Sequence, residues 1–177
     1  TIEDRVRWVS AVKACEVSPG VYNRNPGRED FEAHDDYVGI AAASAFMGDE
    51  FARDILEHGL KTDWHYDNTG KEPGLRSDHS RFLGRVAFYY MAAGEVPGFL
   101  RRVGFNCGIR AAIDSHDHGG KILAWLQVQV CKKMKLLPDL CELFEQSIID
   151  DYGSLADMLR VALGTNTHPF SRVTLEV

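Results

Sequence analysis

The stretch from His34 to Phe46 constrains this chain most: His-Asp-Asp-Tyr-Val-Gly-Ile-Ala-Ala-Ala-Ser-Ala-Phe. Three polar, titratable residues lead into a run in which Gly39, Ala41, Ala42, Ala43, Ser44 and Ala45 have almost no side chain. Alanine is the best helix former, so the run reads as a slim helix over 36–47 that neighbouring helices can approach closely. Such a helix belongs in the middle of a helical stack. Asp35 or Asp36 would cap it, with a carboxylate near the positive end of its dipole. Overpacking it by Gly39→Leu or Ala42→Phe is expected to cost about 1–3 kcal/mol.

The rest of the chain keeps the helical period. Thr1 and Asp4 have capping-box spacing ahead of a helix over 1–16 with Ile2, Val6, Val9, Trp8, Val12 and Cys15 apolar. Ser18-Pro19-Gly20 ends it, and a polar loop follows to Asp30. Asp49 caps a helix over 50–58, with Gly59 as its C-terminal stop. Ser77 or Asp78 heads a helix over 81–93, and Gly94 stops it. Pro97 heads the next, to about Ser115, with Phe99, Leu100, Val103, Ile109 and Ile113 as its apolar residues. Close helix contact is one reason for the glycines in it, Gly98, Gly104 and Gly108. A helix over 121–135 centres on Trp125, Pro138 opens another that Gly153 closes, and Ser154 caps the last, to about Leu163.

The expected fold is all-α, with about seven or eight helices as stacked αα-hairpins, a toroid-like stack being one form, and an irregular C-terminal tail from Gly164. Residues 173–177 alternate and would suit a short edge strand. A single domain over 1–177 is expected from the length. The start at Thr1 without Met points to a native segment ahead of it.

Composition narrows the function. Lys and Arg number 20 against 26 Asp and Glu, a net charge of −6, which argues against a generic nucleic-acid or anionic-membrane binder. No apolar run approaches a membrane span. The four cysteines form no C-x-x-C pair and read as buried thiols in a reducing compartment. A P-loop and a G-x-S-x-G nucleophile are both missing from the sequence.

The candidate chemistry lies in two clusters. His34-Asp35-Asp36 would provide acid, base and proton relay if the environment split the carboxyl pKa values; its plainer reading is a helix cap with a solvated acid. Trp64-His65-Tyr66-Asp67, in the long irregular segment over 62–80 with His79, combines aromatic faces with polar tips. It suits a glycan or peptide groove, or a loop pinned over the core by its aromatics. In an enzyme, Asp36, Asp35, His34, His65 and Asp67 would be catalytic, and Trp64, Tyr66 and His79 would bind ligand. His116-x-His118 reads as a surface turn, since two rings at i, i+2 point apart on a helix. Neither a metal set nor a cofactor is read from the sequence.

Residues Pro19 to Pro26 (PGVYNRNP), His34 to Ser44, Ile55-Leu56-Glu57-His58-Gly59, Trp64-His65-Tyr66, Arg81-Phe82 and Tyr90 to Gly94 form a pattern. It resembles a group of helical proteins encoded by tailed bacteriophages, over roughly residues 13–170. The resemblance implies an origin and a setting, virion or host cytoplasm, and no chemistry. The function it favours is a virion or virion-associated protein docking phage structural subunits or copies of itself, without nucleic acid or membrane. The alternatives are a glycan-active hydrolase or lyase on the αα-hairpin scaffold, and an intracellular phage factor that binds a host protein.

Overall fold

The computed structural model describes residues 1–23, 34–62, 64 and 79–165, with the backbone alone for 34–35, 79–82 and 162–165. Its elements are α1 (Ile2–Cys15), β1 (Glu16–Ser18), β2 (Val21–Tyr22), α2 (His34–Met47), α3 (Phe51–Lys61), α4 (His79–Ala92), α5 (Phe99–Ile113), α6 (His118–Lys133), α7 (Pro138–Tyr152) and α8 (Leu155–Thr165). The fold is all-α, and the two short strands form its one small sheet among the described residues. The strand expected over 173–177 lies outside the described residues.

The capping box of α1 is formed: Thr1 Oγ1 accepts from Asp4 N at 3.2 Å and the Thr1 amino group donates to Asp4 Oδ2 at 3.0 Å. After it the chain makes an antiparallel hairpin, Glu16 opposite Tyr22 and Ser18 opposite Val21, where a plain loop was expected. Gly20 explains the hairpin: its φ is +80°, and a Cβ there would run into the Asp54 carbonyl, so the turn sits directly on α3. Tyr22 N then donates to Tyr37 Oη at 2.9 Å, which ties the hairpin to the first turn of α2.

The slim helix lies in the interior. Tyr37, Val38, Ala41, Ala42 and Ser44 are buried, and α2 packs against α3, α4 and α6. Two details differ from expectation. The helix begins at His34, so Asp35 and Asp36 stand inside its first turn, past the N-cap position. Gly39 also faces open space, since a Cβ there meets no described atom within 4 Å, and the close packing belongs to Ala41 and Ala42 instead. At the far end Ser44 Oγ donates to Asp49 Oδ1 at 2.7 Å and accepts from Ala52 N at 3.0 Å, clasping α2 to α3. Helix α3 runs on to Lys61, so Gly59 is a buried interior residue and not a stop.

Helices α4 and α5 make the closest pair. Gly84 and Gly104 face one another: a Cβ on Gly84 would lie 3.0 Å from the Gly104 carbonyl oxygen, and one on Gly104 would lie 2.5 Å from Leu83 Cβ. Gly98 and Gly108 face open space, so the contact argument holds for one glycine of the three. Gly98, not Pro97, leads into α5; Pro97 is buried just ahead of it. Pro138 and Gly153 bound α7 as expected, and Ser154 Oγ accepts from Asp157 N at 3.1 Å at the start of α8.

Cys131 and Cys141 are buried, and Cys15 is half-buried. The hydrogen bond between the first two, then burial, pushes the Cys131 thiol well above its ordinary range. Cys107 departs from expectation and is exposed.

Candidate functional site

The residues singled out in the sequence divide by position. Asp36 is exposed in the first turn of α2, beside the backbone of His34 and Asp35. Trp64 is only 5% exposed and stacks on Tyr89, with ring centroids 5.8 Å apart and planes 11° from parallel. Its φ of +63° is unusual for a bulky residue. One face of its ring is therefore occupied by Tyr89. His65, Tyr66 and Asp67 lie outside the described residues, as do the side chains of His34, Asp35 and His79.

A second group was not foreseen and sits between α6 and α7. Lys121 is 1% exposed and donates to Asp151, which is 47% exposed. The Lys121 ammonium lies 5.5 Å from the centre of the Tyr152 ring, and Tyr152 Oη meets His118 Nδ1 at 2.6 Å. Four polar groups thus satisfy one another across two helices. The amine has no surface of its own to offer a ligand, so the group is a clasp. His116 is exposed, and His118 turns away from it to Tyr152. Among the described residues no three His, Cys, Asp or Glu side chains gather to hold a metal ion.

An open cleft of about 220 Å³ lies where the α2–α3 turn meets the end of α4. Ser44 is engaged there in its clasp with Asp49. Arg53 is engaged by Glu50 at 3.4 Å, Glu95 at 3.0 Å and the Ala93 carbonyl at 3.1 Å. The cleft is thus a joint between helices, tied by its own polar groups.

The feature that does face outward is α5. Phe99 and Leu100 are each 70% exposed and Val103 44%, and Val96, three residues before Phe99, is 63% exposed. At 3.6 residues per turn, Phe99, Leu100, Val103 and Cys107 fall within an arc of about 100°. Phe105 and Ile109, on the other side, are buried, with Gly104 against α4. Helix α5 therefore has two apolar faces and buries one of them. The exposed side chains form a stripe along one side of the helix.

The electrostatics of the stripe set it apart in an acidic chain. From Val96 to Ile113 there are three arginines, Arg101, Arg102 and Arg110, and no acid. Arg101 lies over the Tyr90 ring, 4.5 Å from its centre. Arg110 Nε donates to Asn106 Oδ1 at 2.9 Å, and Arg102 Nε is buried without an acceptor. The described ion pairs leave all three guanidinium charges without a carboxylate.

Sequence reasoning named Phe99, Leu100, Val103, Ile109 and Ile113 as the apolar residues of this helix without dividing them between faces. The missed signal was the spacing: Phe99, Leu100, Val103 and Cys107 share an arc of the helix that Phe105 and Ile109 do not. Comparison with protein-family models, curated proteins and solved structures finds no match.

Proposed function

We propose that this chain is a docking domain of a tailed-bacteriophage particle, a virion or virion-associated protein that holds another subunit through the outward face of α5. The carrying observation is the stripe of Phe99, Leu100 and Val103, left in solvent on a helix whose opposite face is packed. Exposing large apolar side chains is unfavourable by roughly 25 cal/mol per Å², so a partner that covers them gains what the isolated chain gives up. The phage setting rests on the resemblance of the His34 to Ser44 stretch and of the shorter motifs that follow it. The engaged polar groups of the cleft and of the α6–α7 clasp agree with a role in binding.

The test is the protein content of purified particles, read by quantitative mass spectrometry. Particles should hold the chain at a fixed copy number, and Leu100→Ser should remove it while the free protein keeps its fold. Absence of the wild-type chain from particles, or normal incorporation of Leu100→Ser, would overturn the proposal.

A further inference from the structure

We infer that the occupant of the α5 face is an acidic amphipathic helix of another protein, of about three turns, with its apolar ridge on Phe99, Leu100 and Val103 and its carboxylates on Arg102 and Arg110. The inference rests on the docking role proposed above and adds the chemistry of the partner.

Shape gives the first half. The stripe is a helix face, straight and apolar, running from Phe99 to Cys107 with Arg110 beyond it. At 1.5 Å rise per residue, Phe99 to Arg110 spans roughly 17 Å, about three turns of a facing helix. Residues at i, i+4 and i+8 beside i+1 form the ridge that another helix receives between its own side chains.

Charge gives the second half. Arg102 flanks the arc next to Phe99, and Arg110 continues its line two turns after Val103. Neither has a carboxylate partner among the described residues, in a chain where acids outnumber bases by 26 to 20. An occupant with glutamates beside its apolar ridge would supply both missing partners, and a guanidinium receives a carboxylate through two parallel hydrogen bonds. A second copy of α5 would bring arginine to arginine instead. That repulsion favours a different, acidic partner over self-pairing.

The experiment titrates the full chain into a fluorescently labelled, helix-stapled peptide with leucines at i, i+3, i+4 and i+7 and glutamates on both flanks. A second peptide carries lysine at the flanking positions, and both are read by anisotropy at low and high salt. The Glu peptide should bind, more weakly in salt, and the Lys peptide should bind at least about tenfold more weakly. Leu100→Ser and Arg110→Gln should each weaken the Glu peptide, and only Leu100→Ser should lower the binding that persists in high salt. Equal binding of the two peptides, or binding of neither, would overturn the acidic partner.

Two further measurements reject the competing occupants. Light scattering that shows self-association abolished by Leu100→Ser would replace the partner by a second copy. Co-sedimentation with vesicles of phosphatidylcholine and phosphatidylglycerol would replace it by a lipid surface. Failure of the peptide titration alone leaves incorporation into particles free to succeed, so the two proposals fail separately.

Discussion

Helices α2 and α5 start from similar material and end differently. Both are rich in small residues and both carry glycine. In α2 the bulky residues Tyr37 and Val38 point into the core, and Ala41, Ala42 and Ser44 let α3, α4 and α6 come close. In α5 the small residue Gly104 meets α4, whereas Phe99, Leu100 and Val103 are left outside. Small residues therefore mark where another helix approaches, and large ones mark where the chain spends its apolar surface. A helix that spends it outward is the face on which the proposed docking rests.

That contrast breaks most visibly at the glycines. Gly104→Val should destabilise by about 3 kcal/mol or more, because its Cβ would press on Leu83 and Gly84. Gly108→Ala, four residues on in open space, should raise stability by up to about 1 kcal/mol through helix propensity. Thermal melts of the pair would show whether the close approach of α4 ends between these two positions, which lie about 40° apart on the helix. In α2 the equivalent pair is Ala42→Phe against Gly39→Ala. The first should cost about 1–3 kcal/mol and the second should be neutral or stabilising, reversing the expectation that both positions are tightly packed.

The α6–α7 clasp provides a smaller, sharper test. Asp151→Asn leaves the buried Lys121 ammonium without its counter-charge and should cost about 1–2 kcal/mol, the exposure of Asp151 trimming the larger figure of a fully buried pair. Lys121→Met removes the charge and keeps the packing, so denaturant melts should show it close to neutral. Equal losses in the two variants would mean the pair contributes by packing alone.

The smallest effect is a pH dependence in α3. Burial first, then the nearby Lys61 charge, holds His58 below its ordinary value. The unfolded chain then binds the proton more readily than the folded one, so stability present above about pH 6.5 is lost as pH falls through the folded value. His58→Gln should flatten the melting temperature over that window, and an unchanged profile would assign the pH response elsewhere.

Much of the architecture was legible because its signals are local. The Thr1–Asp4 box, Pro138 at the start of α7, Gly153 after it and the Ser154 cap each act within one turn. What escaped depends on contacts between distant residues. Gly20 gave no sign of lying against Asp54, and the turn it makes with Pro19 could not announce a hairpin. Gly39 and Gly104 look alike in sequence and differ only in what stands opposite them. Lys121 and Asp151 are thirty residues apart, and neither looks unusual alone. The outward face of α5 was half legible: its apolar residues were evident, but not that two faces shared them.

The most direct measurement is the affinity of the full chain for the Glu-flanked helical peptide, wild type against Leu100→Ser, with a thermal melt of both. The account expects a melting temperature within about 2–4 °C of wild type and an affinity lowered by about tenfold or more. An unchanged affinity would contradict it, and so would a collapsed melt, which would make Leu100 part of the core.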